Sequence, residues 1–227
     1  MNPKQRAAEA ALPFIKDGMI VGLGTGSTTD YFIDALGAAL RAGQLKSITG
    51  IPTSVASEQR ARRLGIPLST LAQYPATDIT VDGADEVDPQ LNLIKGLGGA
   101  LLREKIVGQN SRKLIIVADS TKSVPALGSK SPLPVEVVPF CHESHVAFFR
   151  SLGGEPVLRM NFDGTPFLTD NHNFIYDTRF ARINDPAALD VALKHRAGIV
   201  EHGLFIGLAN VVLIGTENGV EQRVRSA

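Results

Sequence analysis

Four segments hold the residues whose types and spacing could do chemistry. The first, V-G-L-G-T-G-S-T-T at positions 21–29, closes an apolar run with glycines and opens a hydroxyl-rich stretch. Glycine lets a backbone approach an anion closely, and a helix N-terminus adds unpaired N–H donors. The hydroxyls of Thr25, Ser27 and Thr28 would supply further donors, so the guest that suits this loop is a monophosphate. A tight turn that merely starts a helix is the alternative. Two familiar phosphate motifs do not fit. No Gly-Lys-Ser/Thr ending is present, and Ser27 stands where a dinucleotide fingerprint has its third glycine. The next strand candidate, SITGIP, also ends without the acidic residue that would hold a ribose, which disfavours a nicotinamide-dependent dehydrogenase.

The second segment, V-D-G-A-D-E-V-D, packs Asp82, Asp85, Glu86 and Asp88 directly after an apolar strand. Open α/β sheets bind ligands at such strand ends. Clustered carboxylates repel, so they are solvated, paired with cations, metal-bound, or used to move protons. The spacing does not match a calcium loop. The third, L-I-K-G-L-G-G-A-L-L-R-E-K, places Lys95 at a strand end and Glu104 about one turn into a helix. Helical side chains lean toward the N-terminus, so Glu104 is expected to project back toward the sheet edge, unless it serves only a structural pair with Lys95. The fourth, A-D-S-T-K, offers Asp119 and Lys122 at another strand end, where Lys122 could equally be an ordinary surface lysine.

Other reactive side chains form no constellation. His142 and His145 have an i, i+3 spacing beside Cys141, but a solvated helix start accounts for it. His172, His195 and His202 are scattered, so neither a Ser-His-Asp mechanism nor a metal site has support.

These segments must be positioned by a folded body, and the totals allow one. The 227 residues suit one large domain or a main domain with a smaller one, and 44% apolar with 20% charged residues is the composition of an ordinary globular chain. Lys plus Arg equals Asp plus Glu at 23 each, so no net positive field draws the chain to nucleic acid or an anionic membrane. A single cysteine precludes an intramolecular disulfide and favours a reducing compartment. No apolar run approaches the roughly 20 residues of a membrane span, and no signal peptide is expected.

The spacing predicts an opening helix over 4–15, then strand MIVGLG, a helix over 27–40, SITGIP, a helix over 54–64 and the strand candidate IPLST. DITVDG, LNLIKG, a helix over 99–109 and the wholly apolar KLIIVAD continue an alternation that implies a parallel sheet. From about 129 to 203 prolines cluster at SPLP, followed by VEVVPF, a helix near 144–152, PVLRM, NFIYD and a helix near 186–195, an order that suggests a small α+β insertion. The last segment, LFIGLANVVLIGTENGVEQRV, reads as a buried strand with a hairpin return to the first body. The expected architecture is therefore α/β: a Rossmann-like three-layer αβα domain over 1–130 and 204–227, with a small α+β, ferredoxin-like domain over 131–203.

GTGST, DGADEVD, KGLGGALLREK and D-S-T-K, in this order and joined by LPVEVVPF, the TDN at 169–171 and VVLIGTENGV, resemble the type A ribose-5-phosphate isomerases across most of the chain. The resemblance implies reversible conversion of ribose 5-phosphate to ribulose 5-phosphate through an enediolate, a step of the non-oxidative pentose phosphate pathway. It implies substrate contacts from Thr25, Gly26, Ser27, Thr28 and Lys122, with Lys4 as a weaker correspondence. Asp82, Gly83, Ala84 and Asp85, with Lys95, Gly96, Leu97 and Gly98, would border the sugar. Catalysis would fall to Glu104 as proton acceptor, aided by Lys95, Asp82 and Asp85. No cofactor and no metal are expected. The partners implied are the sugar phosphates and a second copy of the chain in a homodimer, with the small domain supplying oligomer contacts or a lid, and the expected location is the cytoplasm. The alternative is a noncatalytic phosphosugar-sensing domain, which would not need the Lys95 and Glu104 pair.

Overall fold

The computed structural model describes residues 2–225. In chain order the elements are α1 (Pro3–Glu9), β1 (Ile20–Leu23), α2 (Ser27–Arg41), β2 (Thr49–Pro52), α3 (Val55–Arg63), β3 (Ile79–Asp82) and β4 (Glu86–Val87). There follow β5 (Leu93–Ile94), α4 (Leu101–Gln109), β6 (Leu114–Asp119), β7 (Leu133–Val137), α5 (His145–Ser151), β8 (Glu155–Leu158) and β9 (Phe174–Arg179). The chain closes with α6 (Pro186–Lys194), β10 (Ile199–His202), β11 (Leu204–Phe205), β12 (Val211–Gly215) and β13 (Val220–Val224).

Two compact units result. The first takes Met1–Ala84, Arg103–Lys122 and Gly207–Ala227; the second takes Asp85–Leu102 and Ser123–Ile206. Relative to an insertion spanning 131–203, the second unit also includes 85–102, 123–130 and 204–206. The pairing of β5 with β4 and β11 in a separate three-stranded antiparallel sheet explains the first and last of these, and 123–130 is tied on by the Val124 N–H on Val87 O and by the Gly128 and Lys130 N–H groups on Glu86.

The first unit is built on a six-stranded sheet of order β13-β12-β6-β3-β1-β2, parallel except for the β12–β13 hairpin. The fully buried run of β6 is what a strand covered on both faces requires. Val21, Leu23, Val81, Ile115, Val117, Val211 and Leu213 from the strands join Phe32, Ile33 and Leu36 of α2 in one core. Gly22 and Gly24 let β1 run against β3: a Cβ at Gly24 would lie 2.2 Å from Asp82 Oδ1.

The second unit contains β7, α5, β8, β9, α6 and β10 in chain order, with its antiparallel sheet ordered β10-β7-β9-β8. That succession of strand, helix, strand, strand, helix, strand is the ferredoxin-like one. Its core gathers Leu133, Val135, Val137, Phe149, Tyr176, Leu189 and Leu193.

Four expectations need correction. The opening helix stops at Glu9 rather than Ile15, because Pro13 has no N–H to donate to the Glu9 carbonyl; a 3₁₀ turn over Leu12–Phe14 replaces it. IPLST forms no strand, only a single bridge between Leu68 and Gly50. LNLIKG does not extend the parallel sheet. Only five residues separate β4 from β5, too few for a parallel crossover, so they pair antiparallel across a turn in which Asp88 Oδ1 accepts the Asn92 N–H. The run LFIGLANVVLIG likewise divides, Leu204–Phe205 joining β5 and Val211–Gly215 joining β6.

Candidate active site

In the first unit, β1 lies between β2 and β3, so the chain leaves β1 toward one side and returns on the other. The crevice outside the carboxyl ends of β1 and β3 is thus a topological switch point, the usual ligand position in an open α/β sheet. Gly24–Ser27 follows β1, Gly83 and Ala84 follow β3, and Ser120–Lys122 follows β6, the strand beside β3, as one 3₁₀ turn. The sequence-predicted residues Thr25–Thr28, Asp82–Ala84 and Lys122 therefore stand at three neighbouring strand ends.

Asp82 ties two of these loops together. Its Oδ1 accepts the N–H of Thr25 at 3.0 Å and that of Gly83 at 2.7 Å. Thr25 Oγ1 in turn lies 2.8 Å from Thr53 Oγ1 and donates to Ser54 Oγ at 2.8 Å. Thr53 and Ser54 were not candidates from the sequence; their position just after β2 was the only available signal. Ser54 also caps α3 through a reciprocal bond pair with Ser57, so the hydroxyl that steadies Thr25 is itself fixed.

Gly26 is the N-cap of α2 at φ 111°, a conformation that favours glycine, and no side chain caps the helix there. The first-turn N–H groups and the positive end of a 15-residue helix consequently face the exposed Gly26–Ser27 segment. Lys4 adds a cation to this segment, its Nζ donating to Ser27 Oγ at 2.9 Å. Phosphate would meet amides, hydroxyls and an ammonium together.

Glu104 lies in the first turn of α4 and is 4% exposed, while Asp82 is 1% exposed. Carboxylates this deeply enclosed persist only when partnered or kept for chemistry.

In the second unit, Lys95 follows β5 and is 2% exposed, with Nζ 5.4 Å from the centre of the Phe205 ring on β11. Its N–H donates to Gly203 O at 2.9 Å. The turn after it has Gly96 at φ 102° and Gly99 at φ 84°, closed by the Gly99 N–H on Gly96 O. Asp85 Oδ2 accepts the Leu97 N–H at 2.9 Å. Asp85, Lys95, Gly96, Leu97 and Gly98 thus form one local cluster.

The acidic segment divides by role. Glu86 is fully buried and accepts backbone N–H groups from Gly128, Lys130 and Ser131 at 2.6–2.7 Å. Asp88 closes the β4–β5 turn. Neither is presented to a ligand. Among the described residues no group of three or more His, Cys, Asp or Glu side chains is arranged to hold a metal ion, and no helix is long and apolar enough to cross a membrane.

Residues 49–219 match the family model of ribose 5-phosphate isomerase A (phosphoriboisomerase A). The chain belongs to this family. A relative named ribose-5-phosphate isomerase A from Chloroflexus aurantiacus is 50% identical over 218 residues, covering 96% of this chain and 91% of that protein. One of the same name from Roseiflexus castenholzii is 48% identical over 217 residues, covering 96% and 93%. Among solved structures, a D-ribose-5-phosphate isomerase in complex with phospho-erythronic acid superposes with a TM-score of 0.96 at 43% identity, covering 99% of this chain and all of the other. The enzyme from Methanocaldococcus jannaschii gives 0.93 at 41%, covering 97% of each.

Proposed function

We propose that this chain interconverts ribose 5-phosphate and ribulose 5-phosphate by moving one proton between C2 and C1, with Glu104 as the base. Family membership over nearly the whole chain carries the reading, and the matched relatives named as isomerases leave the sensor alternative without support. The phosphate is held by Thr25, Gly26, Ser27 and Thr28 at the start of α2, with Lys4 beside Ser27 and Lys122 as a further cation. Asp82, through the bonds that fix Thr25 and Gly83, shapes the sugar site and with Asp85 handles hydroxyl protons during ring opening.

Glu104 removes the C2 proton to give an enediolate and returns it at C1 as the two oxygens exchange a proton. A positioned general base is worth about 10² to 10⁴ in rate. Lys95 and the Gly98 amide of the turn that follows it offset the negative charge on the enediolate oxygen, where loss of one donor costs about 10² to 10³. The ammonium and amide supply the stabilisation that a metal would otherwise give, so the reaction runs without metal or cofactor. That a 43% identical relative is in complex with phospho-erythronic acid supports a phosphorylated sugar as the substrate class.

The protein works as a cytoplasmic homodimer. The second unit carries Phe140, Val157 and Phe162 at 84, 66 and 114% exposure, apolar surface of a kind that marks contact sites.

A proton NMR time course in deuterated water, with EDTA-treated protein and ribose 5-phosphate, tests the reaction. Conversion with exchange at the transferred carbon is expected for the parent, and a loss of about 10²-fold or more in kcat for folded Glu104→Gln. Retention of turnover within a few-fold would remove Glu104 from the mechanism.

A further inference from the structure

Arg159 directly follows β8 in the second unit and faces the glycine turn after Lys95. Its Nε and Nη2 make a two-pronged pair with Asp177 of β9, at 2.8 and 2.5 Å. This leaves Nη1 to donate to the carbonyl oxygens of Gly96 at 3.3 Å and Leu97 at 3.1 Å. The Phe167 ring lies 5.5 Å from the guanidinium carbon and also against Gly99, where a Cβ would fall 2.7 Å from the ring. The same turn is therefore gripped through two carbonyls and packed against an aromatic edge.

A trans peptide points its C=O and N–H in opposite directions. Holding the Gly96 and Leu97 carbonyls on Arg159 thus turns the following N–H groups, those of Leu97 and Gly98, away from it. Asp85 takes the Leu97 N–H. The Gly98 N–H, on an exposed residue, donates to no protein acceptor among the described residues. With glycine at 96, 98 and 99, nothing intrinsic to the turn stops its peptides from flipping.

We propose that Arg159 is a positioning residue for the isomerisation: supported by Asp177 and Phe167, it fixes the peptide orientation of the glycine turn so that the Gly98 N–H is presented to the enediolate oxygen. This rests on the isomerase reading above. A donor aimed in advance stabilises developing charge without reorganisation, whereas a freely flipping amide gives up much of that benefit. Arginine is required because only its planar fork can pair with a carboxylate and still reach two carbonyls.

Kinetics of Arg159→Lys, Arg159→Met and Asp177→Asn, together with amide hydrogen exchange of residues 96–99, test the proposal. The expected result is a kcat lower by about 10- to 100-fold, a KM within about threefold of the parent, and faster exchange confined to the turn. Asp177→Asn covers the case in which an Arg159 variant does not fold. A folded Arg159→Lys with parental kcat overturns the proposal and leaves the isomerase reading intact. A lower melting temperature with unchanged kcat per folded enzyme and unchanged exchange at 96–99 also overturns it, as that is a merely structural role. If the parent itself fails to isomerise, the isomerase reading falls, and with it the oxyanion role; the exchange data then decide separately whether Arg159 holds the turn.

Discussion

Lys4 of α1 reaches Ser27 at the start of α2, Nζ donating to Oγ at 2.9 Å, so a residue 23 positions away completes the loop assigned to the phosphate. A charge-assisted bond to an anion is stronger than a neutral one, and loss of about 1.4 kcal/mol is a tenfold change. Lys4→Ala is expected to raise KM for ribose 5-phosphate about tenfold with kcat within twofold, and to weaken the salt dependence of KM. Parental KM would place Lys4 on Ser27 for structure alone.

Much of this site was legible because local chemistry dictates local geometry. Glycines followed by hydroxyls after an apolar run gave a strand, a turn and a helix N-terminus at 21–29, where the structure has them. Long-range pairing was less accessible. No local signal separated Asp82, which holds Thr25 and Gly83, from Glu86, which holds the loop at 128–131, since both are carboxylates in one short segment. Arg159 and Thr53 stayed invisible for the same reason, as their partners lie 62 and 28 residues away. The two-residue strands β4, β5 and β11 are too short to show a period.

The burial of Glu86 leads to a stability effect without a binding effect. Three backbone N–H groups end on its carboxylate, and hydrogen bonds to a charged group contribute about 1.5–3 kcal/mol each before overlap. Glu86→Ala should lower unfolding free energy by roughly 3 kcal/mol, read as a drop in urea midpoint at constant slope. KM of the folded fraction should not move. A loss below about 1 kcal/mol would mean that the carboxylate does not hold the 128–131 loop.

The exposed phenylalanines of the second unit bear on assembly. Pro139, next to Phe140, and Asn161, next to Phe162, line one open cleft together with Leu168. Two nearly bare aromatic rings beside one cleft are costly in water and suited to a second copy of the chain. Sedimentation velocity is expected to show a dimer for the parent and a shift toward monomer for the double variant Phe140→Asp, Phe162→Asp. A parental monomer at micromolar concentration would dismiss the homodimer, and an unshifted dimer in the variant would move its interface elsewhere.

His145 makes stability depend on pH in a defined direction. It is buried at the start of α5, and burial first, then the Arg196 and His142 charges, lower its pKa from the ordinary 6.5. Its Nδ1 accepts the Nε–H of Arg196 at 3.1 Å, a bond that a protonated ring could not accept. Below the unfolded-state pKa the unfolded chain binds a proton that the folded chain refuses, so acid favours unfolding. The His145 contribution is complete above pH 6.5 and is lost progressively as pH falls from there through the lowered folded pKa. Urea midpoints at pH 7.5 and 5.5 should therefore fall more in the parent than in His145→Gln, whose side chain has no proton to gain. Equal losses in the two proteins would place the acid sensitivity on other groups.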